Sequence, residues 1–360
     1  MTRRVLVTAA VLTSILVCSA FLGQPPSPAL ASSDEIAGAS VTKAKALIDA
    51  HQGETDLLLQ AQSMLLNIVN ADPSNAAAYV QLARAEYKLG YMNYRNYSKV
   101  SLGKALAYVS RALEIDPRLF EGHLIRGYVY LFDKNLPEAR KSAQEASQTS
   151  PGAPETDLLL ADIARGEKND DEALTLAEGV VQRTKDPKLL RDAYGILGPI
   201  LWHKKEWEAA EKIYLARIAL EPSSAWARTN YASFLISKGD YDKAIESAEK
   251  GLEFMEFGMG HRVLARAYYW KGADLLWKQK DYQNCGRYFE LALEQNPKDA
   301  EAHYGLGNCF RAKAMLNLDP EMLEKSRDAF AQAVRLDPKH EKAKSQLDNH
   351  PQFVEKLKKQ

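Results

Sequence analysis

An all-α repeat array is the fold class that the 360-residue sequence predicts, and three observations carry it. Helix-ending prolines stand at Pro73, Pro117, Pro151, Pro187, Pro222, Pro297 and Pro338, with spacings of 44, 34, 36, 35, 75 and 41 residues. Counting the 75 as two units gives a base period near 34. Similar phrases close these units, among them Glu114-Ile115-Asp116-Pro117, Ala219-Leu220-Glu221-Pro222 and Arg335-Leu336-Asp337-Pro338. Proline cannot continue an interior helical turn and pushes the residue before it toward extended geometry, so each phrase ends an amphipathic helix. Finally, 20 Gly and 15 Pro with little β-branched alternation lean the composition toward helix.

In chain order, the first element is a targeting segment. Met1 to Arg4 is a short basic region, Val5 to Leu22 is largely apolar, and Pro25-Pro26-Ser27-Pro28 precedes Ala29-Leu30-Ala31. This is the layout of a secretory signal (residues 1–31) with cleavage expected after Ala31, which makes the mature chain periplasmic or secreted. The competing reading is a retained anchor, since the apolar stretch would reach about 27 Å as a helix. Lipidation at Cys18 is disfavoured by the bulky Val17 before it. A short linker, 32–39, is expected next. Repeat units then follow at 40–73, 76–117, 120–151, 154–187, 190–222, 225–256, 266–297 and 300–338, and 339–360 is expected to be a Lys-rich capping helix with a polar outer face.

Within these units small and aromatic residues recur in register. Gly127, Tyr130, Ala139, Ala146 and Pro151 mark one unit; Ala273, Tyr282, Phe289, Ala292 and Pro297 another; Leu306, Gly307, Phe310, Phe330, Ala333 and Pro338 a third. Gly239-Asp240-Tyr241-Asp242-Lys243-Ala244 forms an inter-helix turn. In these features the chain resembles the tetratricopeptide repeat (TPR) family over about residues 40–338. The resemblance implies a right-handed α-solenoid of stacked helix A, turn, helix B hairpins, in which small residues such as Gly127 and Ala139 let the two helices cross closely. Departures are Arg126 at an apolar position, Cys285 in place of an alanine, and Pro199 inside a helix A.

Catalytic and cofactor signatures are not visible. The seven histidines form no HExxH or similar ligand spacing, and no GxSxG, P-loop or GxGxxG occurs, so neither an enzyme nor a cofactor or metal is expected. His123 and His303 occupy equivalent helix A positions and read as packing residues. Cys285 and Cys309 fall on stacked helices of neighbouring units; two buried thiols are favoured over a bridge, which needs Cα atoms within about 7 Å. Forty-seven Lys and Arg balance forty-seven Asp and Glu, and losing Arg3 and Arg4 with the signal leaves a slight acidic excess, so no basic footprint for nucleic acid exists.

The family resemblance directs attention to the concave face. Helix A positions aimed there are Val80, Arg84, Tyr87, Leu124, Tyr128, Leu131, Leu158, Arg165, Tyr194, Trp226, Trp270, Trp277, Tyr304, Asn308 and Arg311. Aromatic and Arg residues are frequent anchors of protein interfaces. The ten extra residues before Pro117 contain Tyr91 and Tyr94; if helix A runs on, Tyr87, Tyr91 and Tyr94 make one stripe extending the groove, whereas the competing arrangement is a local mini-core. The Lys and Asn pattern of chaperone-tail-binding members is missing. The expected function is a non-catalytic periplasmic scaffold that binds a protein or peptide partner of the cell envelope, with no membrane insertion after signal cleavage. A small-molecule or lipid carrier, or accessory component of a solute transporter with an aromatic-lined pore, is the principal competitor, and a periplasmic hydrolase a weaker one.

Overall fold

The computed structural model describes residues 33–359 with 52, 54, 94 and 95 excepted, so the expected signal segment, 1–31, and Tyr94 lie outside the described residues. The chain is a right-handed α-solenoid. Among the described residues eight helical hairpins follow one another: α1 (Ser33–Ala50) with α2 (Thr55–Ala71), α3 (Ala76–Leu89) with α4 (Lys99–Ile115), α5 (Phe120–Phe132) with α6 (Leu136–Thr149), and α7 (Pro154–Gly166) with α8 (Asp170–Arg183). The second half continues with α9 (Pro187–His203) and α10 (Trp207–Leu220), α11 (Ala225–Lys238) and α12 (Tyr241–Phe254), α13 (Gly258–Ala273) and α14 (Cys285–Gln295), and α15 (Ala300–Asn317) and α16 (Pro320–Leu336).

Helix boundaries follow local chemistry. Asn75, Ser98, Asn135, Asn169, Ser224, Asp299 and Asp319 cap helix N-termini through side-chain oxygens that accept a backbone N–H. The turn inside the sixth hairpin places Gly239 at φ 92°, and its N–H donates to the Leu235 carbonyl at 2.9 Å. Lys134, Lys168, Lys205 and Lys280 occupy the same left-handed slot in other hairpins, at φ between 57° and 65°, so the turn geometry persists where the glycine is absent. His123 and His303 are packing residues: each Nε2 contacts the carbonyl of the turn proline six residues earlier, Pro117 at 2.9 Å and Pro297 at 3.2 Å. Arg126 finds polar partners in Ser142 and Glu145.

Close packing explains the small residues. A Cβ on Gly127 would come within 2.5 Å of Leu159 Cδ2 on the next hairpin and 3.5 Å of the Ala139 carbonyl on its own, so this position serves stacking as well as the A–B crossing. Gly305 is tighter still, 2.3 Å from the Phe289 ring. One buried cluster runs from Leu158 to Ala329 across the later hairpins, while three smaller clusters serve the N-terminal ones.

Several expectations are corrected. The segment expected to link the array, 32–39, is helical from Ser33. Helix A of the seventh hairpin begins at Gly258 rather than near 266 and ends in a π-helical turn, Asp274–Gln279. Pro199 does lie inside helix A of the fifth hairpin, α9, as expected, and does not end it. The C-terminal cap is two short helices, α17 (Glu341–Asp348) and α18 (His350–Lys358), with Pro351 in the first turn of the second. Most consequentially, α3 stops at Leu89, and Tyr91–Asn93 (β1) pairs antiparallel with Asn96–Tyr97 (β2), so Tyr87 and Tyr91 do not share a helical stripe. Gly90 lies against Ser101 of α4, where a Cβ would come within 2.6 Å, and the hairpin turns the chain back directly to the Ser98 cap.

The cysteines are also not free thiols. Cys285 of α14 and Cys309 of α15 are disulfide-bonded, with Cα atoms 6.1 Å apart and both residues fully buried. Replacing both by Ala is expected to cost about 3 kcal/mol, from release of the unfolded chain across a 24-residue separation. Urea unfolding of the double variant beside the parent measures it, and coincident curves would show that the bridge constrains nothing.

Candidate partner-binding groove

Helices α3, α5, α7 and α9 stand side by side and build a half-open cavity of about 520 Å³. Its apolar surface comes from Tyr87, Leu124, Tyr128, Leu158 and Ile196. Around it stand Arg84, Lys88, Arg165, Lys188, Arg191 and Arg217, interleaved with Glu121, Glu155, Asp162, Asp186 and Asp192. Six cations against five carboxylates make the lining strongly polar with little net charge.

The first hairpin completes this wall. Asp49, near the end of α1, accepts from Arg84 of α3 and, at 3.2 Å, from Lys188 of α9, so α1 and α9 meet across the groove although 139 residues separate the pair. Burial alone would raise the Asp49 pKa, but the two cations hold it below the usual carboxylate value. Lys45 of α1 and Gln81 of α3 both reach Glu121 of α5, at 3.3 and 3.0 Å.

Burial governs the titration of four groove side chains. Tyr87 and Tyr128 are pushed upward by desolvation, Tyr128 strongly. Lys88 is lowered to about 8 by burial, reinforced by Arg84 nearby. Arg217 is lowered by burial as well.

The expected binding residues divide into three groups. Arg84, Tyr87, Tyr128, Leu124, Leu158 and Arg165 converge on the cavity. Tyr87 and Tyr128 also pack around Phe132, with ring centroids 5.3 and 6.0 Å away, and Tyr97 of the β-hairpin stacks on Phe132 at 4.3 Å. The insertion therefore builds a small aromatic core beside the groove, and Tyr91 lies on its outside, 48% exposed against Tyr97.

A second group lies elsewhere on the array. Tyr194 packs against the large core, because α9 starts at Pro187 and turns Lys188, Arg191, Asp192 and Gly195 toward the cavity instead. Trp226 packs against Phe257 at 4.7 Å. Trp270 and Trp277 are 44% and 49% exposed, the first edge-on to Tyr269 and the second, in the π turn, edge-on to Phe289.

The third group is engaged by the chain itself. Tyr304 packs on Phe330 and His340, Asn308 accepts from Arg311 at 2.8 Å, and Arg311 donates to Gln346 of α17 and lies 4.6 Å over the Phe353 ring of α18. The two capping helices thus take up these side chains at the C-terminal end.

Sequence reasoning missed Lys88, Lys188, Arg191, Asp192, Gly195 and Arg217. Asp186-Pro187, an N-cap residue before a first-turn proline, is the signal that fixes the register of α9. Arg217 belongs to α10, a helix B, and nothing in the repeat pattern assigns such a residue to the groove. Among the described residues no group of three or more His, Cys, Asp or Glu could hold a metal ion, and no described helix is long and apolar enough to cross a membrane.

Comparison with known proteins agrees with this architecture. Models described as Tetratricopeptide repeat match residues 227–254 and 271–341. Anaphase-promoting complex subunit 7 of Dictyostelium discoideum is 24% identical over 228 residues, 62% of this chain; the match spans only 37% of that protein's length. Among solved structures, human IFIT1 with m7Gppp-AAAA superposes with a TM-score of 0.56 at 17% identity, covering 83% of this chain and 71% of that one. The C-terminal part of a TPR repeat-containing protein from Cytophaga hutchinsonii gives 0.53 at 17% identity, covering 74% and 99%. At these identities the structural likenesses are likenesses of fold.

Proposed function

The chain is a tetratricopeptide-repeat protein, and from that premise we propose that it is an exported, non-catalytic scaffold that holds a segment of a protein partner in the groove of its second to fifth hairpins. The carrying observation is the cavity of about 520 Å³, in which apolar and aromatic surface is ringed by charges from successive helices. Such a lining offers hydrophobic contact together with polar groups that fix orientation. Export rests on the Arg3-Arg4 segment, the apolar stretch after it and Ala29-Leu30-Ala31, and it accords with a buried disulfide, a bond at home in oxidising compartments. The partner is accordingly sought in the cell envelope.

A nucleic-acid ligand, such as the m7Gppp-AAAA in the human IFIT1 structure, would meet five carboxylates in this cavity. A small-molecule carrier is the second reading, favoured by a volume within the range of small-ligand sites.

Gly195→Trp tests the groove. A Cβ at this cavity-lining position of α9 meets Arg217 Nη1 at an ordinary 3.5 Å, so a large side chain projects into the groove without a clash at its root. Affinity capture from envelope extract is expected to yield a partner with the parent chain and to lose it, by at least about tenfold, with this variant at unchanged melting temperature. A partner retained by Gly195→Trp would move the binding surface elsewhere.

A further inference from the structure

Most charges lining the cavity are paired with one another. Asp162 holds Arg165 at 3.2 Å and Asp192 holds Arg191 at 3.0 Å. Asp49 holds both Arg84 and Lys188, and Glu121 accepts from Lys45 and Gln81. Lys88 is the exception: it lines the cavity, yet among the described residues no carboxylate lies within ion-pair distance of its amine. Glu86, two residues back and so about 200° round the helix, faces away and is held by Gln62 of α2 at 2.6 Å and Lys104 of α4 at 3.8 Å.

Arg84 stands one turn before Lys88 on α3, so the two side chains share one face and one cavity. Arg84 is only 9% exposed, and its Nη1 is enclosed without an acceptor although the guanidinium also binds Asp49. From the other helix layer, Arg217 of α10 reaches the cavity past Gly195 of α9, where a Cβ would meet its Nη1 at 3.5 Å. Its Nε is likewise enclosed without an acceptor. Enclosed charged donors without acceptors are costly, and a carboxylate has an oxygen for each of them. Tyr87, Leu124 and Tyr128 supply apolar surface beside them.

We propose that Lys88 is a nucleophilic amine that takes a small 2-oxo acid with an apolar side chain as an imine, the carboxylate lying between Arg84 and Arg217 and the side chain on Tyr87, Leu124 and Tyr128. The neutral amine adds to the C2 carbonyl carbon, and one amine proton passes to the carbonyl oxygen to give a carbinolamine. The hydroxyl then leaves as water with a proton from solvent, and the C=N bond formed keeps the other amine proton as an iminium. Nothing is oxidised or reduced, and hydrolysis returns amine and acid. A carbonyl next to the carboxylate fits because the amine and the Arg84 guanidinium stand one helical turn apart. Such a ligand needs the cavity but no protein partner, and so goes beyond the scaffold reading.

The surroundings of Lys88 favour the neutral amine. Burial lowers its pKa to about 8, helped by Arg84 on its own helix and by Arg191 of α9, and opposed by Asp49 of α1 and Asp192 of α9. Glu121 and Tyr128 of α5, Asp162 and Arg165 of α7, Lys188 of α9 and Arg217 of α10 line the remaining walls. About a tenth of the amine is therefore neutral at pH 7, where an ordinary lysine has less than about a thousandth. Desolvation beside another cation is a general way of making a lysine nucleophilic.

The test incubates the full chain at pH 7 with 4-methyl-2-oxopentanoate and cyanoborohydride, which reduces an iminium to a stable secondary amine, and locates the adducts by peptide mass spectrometry. Lys88 is expected to be labelled at least about tenfold faster than any other lysine, at a rate that levels off near pH 8 while the others go on rising. The methyl ester of the acid, at least as electrophilic but uncharged, is expected to lose about tenfold of that advantage, and so is the acid with Arg217→Gln. Lys88→Arg keeps the cation and should abolish the adduct at an unchanged melting temperature. Labelling of Lys88 no faster than surface lysines overturns the proposal. An ester as selective as the acid, or an advantage that survives Arg217→Gln, also overturns it, because each takes the carboxylate off its seat. If the parent captures a protein partner but forms no adduct at Lys88, the scaffold reading stands and the imine falls; an adduct at Lys88 in a chain that captures no partner has the opposite meaning.

Discussion

Phe234→Ala is expected to destabilise the array by about 4 kcal/mol. Phe234 is fully buried on α11 at the junction of the fifth and sixth hairpins, where four aromatic rings surround it: Tyr214 at 5.1 Å, Trp207 at 6.0 Å, Tyr231 at 6.1 Å and Trp202 at 6.2 Å between centroids. Removing the ring leaves a cavity that rigid aromatic neighbours on α9, α10 and its own helix cannot collapse to fill, so the transfer loss and the cavity loss add. Urea unfolding followed by circular dichroism and by tryptophan fluorescence reads the change, Trp202 and Trp207 reporting on this junction. A loss below about 2 kcal/mol would mean that the junction repacks freely.

Stability is also expected to collapse in alkali. Tyr87, Tyr128, Tyr214, Tyr231, Tyr268 and Tyr269 all have phenols raised above their ordinary value by burial, Tyr269 to about 12, and at Tyr231 and Tyr268 the hydrogen bonds to Glu211 and Glu249 add to it. A phenol raised in the folded state keeps its proton where the unfolded chain has lost it. Its stabilisation is therefore intact below about pH 10 and disappears as pH climbs toward the folded value, at up to about 1.4 kcal/mol per pH unit for each group. Lys238 and Lys271, raised chiefly by hydrogen bonds to Glu211 and Asp242, act in the same direction. Lys88, lowered to about 8, acts oppositely as pH rises from there, but it is one group against many. Urea midpoints are expected to hold between pH 7 and 9 and to fall steeply above about pH 10, with tyrosinate absorbance appearing together with unfolding. A midpoint unchanged at about pH 11.5 would show these phenols to be open to solvent.

What the sequence made legible was whatever depends on local chemistry repeated in register. Prolines and N-caps end and begin helices by rules acting over four residues, so the succession of helical hairpins was legible, and Gly127 and Ala139 are tight-packing positions. The insertion after Leu89 was not legible as a hairpin, because two strands of three and two residues carry no alternation long enough to compete with a continuing helix. The disulfide depends on how α14 lies on α15, a distance that a separation of 24 residues does not encode. The groove was half legible: Arg84, Tyr87 and Tyr128 follow from repeat position, whereas Lys188, Arg191 and Asp192 required the register of α9 and Arg217 comes from the other helix layer.

The Asp49–Lys188 contact bears on the order in which the array assembles. Solenoids fold by local propagation, since each hairpin touches mainly its neighbours and little loop-closure entropy is spent at any step. A contact spanning 139 residues is foreign to that scheme and can form only after the intervening hairpins have stacked and curved. The closed side of the groove is consequently a late product of folding, made by geometry accumulated over several hairpins, and it can open again without unfolding any one of them. A partner segment held in the groove would keep that closure shut, so that occupancy of the groove and curvature of the solenoid rise and fall together.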